Sequence, residues 1–163
     1  MKKALLLLFL SAAVLFAKEF TLKTIDGKTL HMDITLITLS VKEYPDKIIL
    51  LDFFGANCPP CIHEMPDLVK FQDIYQKSVQ IIGVQSSSKR DDKEMALFVK
   101  KHNLNYPVIN LDEATKLIVY VQDNLKWNGA LPYKLLYNFY GDLSYKLYGM
   151  MNMSKLTEVL KQL

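Results

Sequence analysis

The sequence holds two cysteines, and they lie three apart in Cys58-Pro59-Pro60-Cys61. A bridge that closes so short a loop removes little chain entropy and is worth little as a staple. The spacing suits thiol–disulfide exchange instead, in which one thiolate attacks a disulfide and a second thiol resolves the mixed disulfide. Pro59 and Pro60 fit the first turn of a helix, where a missing N–H does no harm. A cysteine just before that turn has its pKa lowered by unsatisfied N–H groups and the helix dipole. Cys58 is therefore read as the nucleophile and Cys61, one turn inside, as the resolving thiol. Two other uses of paired cysteines fit less well. A zinc site needs about four ligands, there is no second cysteine pair, and His63 is expected to point along a helix flank. Covalent haem attachment needs histidine directly after the second cysteine, where Ile62 stands. No metal or other cofactor is expected.

The elements around the pair must hold it at a strand end. Ile48 to Phe54 is a continuous apolar run, the mark of a strand covered on both faces, and it leads straight to the cysteines. The helix that follows is predicted to reach about Lys77, with a kink at Pro66. Phe20 to Met32 contains two short extended runs around Asp26-Gly27, a hairpin turn signal. Thr35 to Val41 reads as either a short helix or a connecting loop. Val79 to Val84 is a second buried strand. A helix capped by Asp91 or Asp92 runs to about His102, and Tyr106 to Asn110 is a short strand. Asp112 caps a helix through about Val121. Tyr133 to Tyr140 is a strand, and Gly141-Asp142 turns it into Leu143 to Tyr148. Ser154 caps a final helix with Leu156, Val159, Leu160 and Leu163 on one face. Strands alternating with helices, closed by a hairpin, predict an α/β domain.

The chain has 163 residues, half of them hydrophobic, which fits one domain with a proper core. Residues 1–17 read as a signal peptide: Lys2 and Lys3 form the positive start and Ala4 to Phe16 the apolar run. Ala17 stands at a plausible cleavage point. The run is shorter than the roughly 20 residues a spanning helix needs. Export to a bacterial periplasm is expected, with an uncleaved anchor as the alternative, and residues 18–163 as the working domain. The formal net charge is +3, and removing Lys2 and Lys3 leaves 18 basic against 17 acidic residues. No basic stripe remains, so nucleic-acid binding is not expected.

The stretch Leu51-Asp52-Phe53-Phe54-Gly55-Ala56-Asn57-Cys58-Pro59-Pro60-Cys61-Ile62-His63-Glu64-Met65-Pro66 resembles the active-site segment of thioredoxin-like proteins of the TlpA/ResA type. The likeness is looser over Phe20 to Leu163 but in order: Asp26-Gly27-Lys28 resembles the family's opening hairpin, Tyr106-Pro107-Val108 with Asp112 its inserted segment, and Leu131-Pro132 its cis-proline loop. The resemblance implies a thioredoxin fold: a central mixed sheet flanked by helices, an N-terminal β-hairpin and an inserted helix–strand segment. It implies a periplasmic disulfide oxidoreductase, mostly of the reducing kind, often serving cytochrome c maturation. Cys58 and Cys61 match the redox pair. Pro132 matches the cis-proline beside it, leaving the Leu131 backbone to hold a substrate strand. Glu64 matches an acid the family places near the site. Asp52 matches the buried acid of thioredoxin, a proton acceptor for the second cysteine. The implied partners are disulfide-bearing exported proteins, among them apocytochrome c, and a membrane electron-relay protein as reductant; the protein is expected to act as a monomer. Asn57 departs from the family's usual Trp.

Other residues invite a role. His63 neighbours Cys61 and could tune a pKa, while His31 and His102 suit surface or packing roles. Trp127 reads as core or as groove lining. Met150, Met151 and Met153 could serve copper, but packing against the sheet edge is the plainer reading. The competing functions are a disulfide oxidase or isomerase on the same fold and a copper metallochaperone. The CxxC spacing argues against the last of these.

Overall fold

A computed structural model describes residues 17–163. The signal-peptide expectation lies, except for Ala17, outside these residues. Among the described residues no helix is long and apolar enough to cross a membrane.

Three strands form a small antiparallel sheet: β1 (Lys18–Lys23), β2 (Thr29–Ile34) and β3 (Leu39–Val41), in the order β1-β2-β3. The larger sheet takes β4 (Ile48–Gly55), β5 (Val79–Ser87), β6 (Val108–Ile109), β7 (Tyr133–Tyr137) and β8 (Leu143–Tyr148) in the order β6-β5-β4-β7-β8. β4, β5 and β6 run parallel, and β7 and β8 antiparallel to their neighbours. Among the described residues α1 (Pro59–Tyr75), α2 (Asp92–Lys101) and α3 (Leu111–Leu125) connect strands of this sheet, and α4 (Met153–Leu160) follows β8.

β4 is central and covered on both faces, as its unbroken apolar run requires. Alternate side chains separate cleanly. Ile49, Leu51 and Phe53 enter a core shared with α3 and the small sheet, whereas Leu50 and Phe54 enter one shared with α1, α2 and α4. This alternation, inherent to a strand, also sends Asp52 toward the α1 layer.

Several local details differ from the sequence expectations. Thr35 to Val41 is neither helix nor plain loop: Leu39–Val41 is a strand paired with Met32–Ile34. Three residues are too few for a periodicity signal, and the long-range bonds Leu143 N–H to Ile37 C=O and Leu39 N–H to Gly141 C=O pin the segment instead. Asn110, not Asp112, caps α3 by accepting from Glu113 N–H, and Asn152, not Ser154, caps α4 by accepting from Lys155 N–H. Asparagine caps as well as aspartate or serine. The strand expected over Tyr106 to Asn110 shrinks to Val108–Ile109, and β7 ends at Tyr137, before the Asn138 turn. Pro66 sits inside α1, which remains one helix.

Candidate active site

β4 delivers the chain to the cysteines at its C-terminal end. Cys58 is the N-cap of α1, with Pro59 and Pro60 as the first two helical residues. The Cys61 N–H donates to Cys58 Sγ at 3.3 Å. Because the prolines lack N–H groups, Cys61 brings the first backbone donor of the helix to that sulfur. The two cysteines form a disulfide with an S–S distance of 2.07 Å. Cys58 is partly exposed, and Cys61 is sealed in the α1-side core. Accessible sulfur first and buried sulfur second is the order that exchange chemistry needs.

The loop before β7 reaches the same end. The Leu131–Pro132 peptide is cis. A Cβ placed on Gly55 would meet Cys58 Cβ at 3.1 Å and Leu131 Cδ1 at 3.4 Å, and would collide with Ser87 Oγ. Gly55 is thus the close approach that lets Leu131 sit against the cysteine turn. Leu131 makes no backbone hydrogen bond among the described residues, so its N–H and C=O remain available to an extended peptide. Trp127 is core, stacked on Tyr133 at 5.1 Å. Its Nε1–H donates to Ala130 C=O, bracing the turn before Leu131.

Behind the cysteines lie three charges. Asp52, Glu64 and Lys134 are all buried. Lys134 Nζ donates to Glu64 Oε1 at 2.5 Å and lies 3.1 Å from Asp52 Oδ1, the latter without hydrogen-bond alignment. Glu64 Oε2 accepts from Met151 N–H at 2.8 Å, which ties the approach to α4 to α1. Burial pushes the Glu64 carboxyl up to about 7; the Lys134 charge opposes this, and the Asp52 charge adds to it. Lys134 is raised, its burial outweighed by the two carboxylates. Burial and the same carboxylates push buried Tyr106 well above the ordinary phenol value.

Of the residues singled out in the sequence, the structure brings Cys58, Cys61 and Leu131-Pro132 to one end and sets Asp52 and Glu64 in the layer beneath. His63 is exposed on α1. The methionines divide: Met151 is buried in the α1-side core, Met153 packs partly against it, and Met150 is exposed. Two residues escaped the sequence reading. Lys134 is one; a lysine inside an otherwise apolar strand was its only signal. Arg90 is the other. Its Nη2 donates to Asn57 Oδ1 at 2.9 Å and to Ala56 C=O at 3.4 Å, and its guanidinium lies 5.3 Å from the Phe98 ring centre.

This architecture is the thioredoxin fold. It is shared with StoA from Bacillus subtilis (25% identity, TM-score 0.65, 88% of this chain and 96% of that one). It is shared also with a thiol:disulfide interchange protein from Chlorobium tepidum (22% identity, TM-score 0.67, 90% and 93%). Residues 16–132 match the AhpC/TSA family, and the chain belongs to that family, among its thioredoxin-like members of the TlpA/ResA type. The thiol–disulfide oxidoreductase ResA of Geobacillus thermodenitrificans is 31% identical over 118 residues, 67% of each chain. The ResA of Bacillus cereus is 31% identical over 105 residues, 63% of this chain and 53% of that protein. The thioredoxin-like YneN of Bacillus subtilis is 28% identical over 94 residues, 57% of this chain and 50% of that protein. The chain thus spans about half the length of these last two relatives.

Proposed function

We propose that this protein is an exported thiol–disulfide oxidoreductase that donates electrons from the Cys58/Cys61 dithiol to disulfides of exported proteins. The reading is carried by one arrangement: a partly exposed Cys58 at the N-cap of α1, with its partner Cys61 sealed directly behind it. Cys58 thiolate attacks a substrate disulfide, forming a mixed disulfide and releasing one substrate thiolate. Cys61 then loses its proton and attacks Cys58 Sγ. The Cys58–Cys61 bond forms, the bond to the substrate breaks, and the second substrate sulfur leaves with the electron pair. The Leu131 backbone holds the substrate strand beside Cys58, and one carboxylate of the buried Asp52/Glu64 pair takes the Cys61 proton. An apocytochrome c is a fitting substrate by family resemblance, and a membrane electron relay is the fitting reductant.

Insulin reduction together with equilibration against glutathione tests the reading. The expected results are turnover lost in Cys58→Ser and a potential nearer thioredoxin, roughly −270 mV, than the oxidising extreme of roughly −120 mV. A potential at that extreme would make the protein an oxidase. Export is supported by Lys2-Lys3 and the apolar run that follows. N-terminal sequencing of the exported protein is expected to begin at or near Lys18, and full-length protein confined to the cytoplasm would refute export.

A further inference from the structure

Lys134 has a role that thiol–disulfide exchange on two cysteines does not by itself require. It is fully buried on β7, a strand whose five residues are all buried. Desolvating an ammonium group costs several kcal/mol in practice unless partners offset it. An apolar side chain of similar volume would fill the space without that cost. The three charges come from three elements: Asp52 on β4, Lys134 directly opposite it on β7, and Glu64 on α1. Glu64 follows Cys61 by three residues, so the two share a helix face with Cβ atoms about 5–6 Å apart. Asp52 points into the same layer as Cys61.

We propose that Lys134 is the positioning residue of the resolving step: its ammonium, held between Asp52 and Glu64, keeps one carboxyl group of the pair ionised as the proton acceptor for Cys61. This rests on the thiol–disulfide reading above. Two adjacent buried carboxyls without a counter-charge favour their neutral forms, and a neutral carboxyl cannot take a proton. One ammonium between two carboxyls leaves one of them matched and the other to titrate. Glu64, poised near 7, is suited to that role. The titratable neighbours are few: Asp52 from β4, Glu64 from α1 and Tyr106 ahead of β6, whose phenol stays neutral. In the mixed disulfide the Cys61 S–H proton passes to the carboxylate, and the Cys61 thiolate bonds to Cys58 Sγ. The substrate sulfur departs with the electrons of the broken bond. Lys134 itself transfers nothing.

Reduced protein mixed with an aromatic disulfide such as dithiobis-nitrobenzoate releases one coloured thiolate when Cys58 attacks and a second when Cys61 resolves. The two phases can be followed against pH. The second phase of the wild type is expected to rise with a midpoint near 7. In Lys134→Met that midpoint moves upward, and a rise of one pKa unit slows the second phase at pH 7 by about fivefold, the ionised fraction falling from about a half to about a tenth, while the first phase keeps its profile. Glu64→Gln, nearly isosteric, leaves Lys134 with one carboxylate. Its second phase loses the midpoint near 7 and stays fast at lower pH. A packing role for Lys134 cannot move the two profiles in opposite directions. If Lys134→Met fails to fold, Glu64→Gln decides alone: a retained midpoint near 7 overturns the proposal, as does an unmoved midpoint in folded Lys134→Met. Wild-type protein that never releases a second equivalent refutes the thiol–disulfide reading itself.

Discussion

Arg90 donates from Nη2 to the side-chain oxygen of Asn57, the residue immediately before Cys58. The position that the family fills with Trp is therefore occupied by an amide held to a cation. A cation near a thiolate favours the ionised form, so Arg90→Ala is expected to raise the Cys58 pKa. Arg90 is part-exposed, and exposed charge pairs are worth about 0.2–1 kcal/mol, so the rise should be no more than about 0.7 of a pKa unit. The pH dependence of alkylation of reduced Cys61→Ser protein measures it directly. An unchanged profile would mean that Arg90 serves only to hold the loop.

Burial predicts the order of reactivity. In reduced wild-type protein near neutral pH, limiting iodoacetamide should label the partly exposed Cys58 before the sealed Cys61, as read by peptide mass spectrometry. Preferential labelling of Cys61 would reverse the assignment of nucleophile and resolving thiol.

The cysteine pair was legible because its signals are local: spacing, two prolines, and a preceding apolar run that could only be a buried strand. α1, β4 and β5 follow from similarly unbroken patterns. β3 was not legible, because its three residues gain their form from pairing with β2 and from bonds to the distant β7–β8 turn. The charge triad was half legible. Asp52 and Glu64 came from family resemblance, but Lys134 lies in Tyr-Lys-Leu-Leu-Tyr, where one lysine in an otherwise apolar strand does not say what it faces. Only the β4–β7 register, which sets Lys134 opposite Asp52, makes its burial intelligible. Arg90 gave no signal at all, since a loop arginine is usually solvated.

The turn between β7 and β8 depends on Gly141. Its φ is +83°, and an added Cβ would lie 2.6 Å from the Leu39 backbone oxygen. That oxygen belongs to β3 and cannot rotate away as a side chain would. Gly141→Ala is expected to cost about 1–3 kcal/mol, because left-handed strain and a backbone collision act together. Urea unfolding should show a lower midpoint. By contrast, Gly27→Ala carries similar φ strain but meets nothing within 4 Å, and should cost less. Equal costs at the two sites would show that the collision is relieved by movement of β3.

Glu64 gives the stability of the protein a pH dependence of unusual sign. Its carboxyl titrates at an ordinary 4.5 when unfolded and near 7 in the fold, because burial disfavours the charge more than Lys134 restores it. Between those values the folded state holds a proton that the unfolded state has lost, so unfolding releases protons and stability falls as pH rises. The contribution is fully present below about 4.5, declines through the window up to about 7, and is gone above it. Some 2.5 pKa units at 1.36 kcal/mol each put the span at about 3 kcal/mol as an upper bound. Depressed carboxylates such as Asp26 and Glu43 add stability above their unfolded values and lose it in acid, so they act mostly at lower pH. His102, lowered by burial and nearby cations, works in the opposite sense as pH rises toward 6.5. Both effects are common to wild type and variant and cancel in a comparison. Urea unfolding of the oxidised wild type and of Glu64→Gln at pH 5 and pH 7.5 isolates the Glu64 contribution. The wild type should lose stability relative to the variant on going to pH 7.5. A difference that stays constant, or grows in favour of the wild type, would show that Glu64 is ionised throughout and that Lys134 overcomes its burial completely.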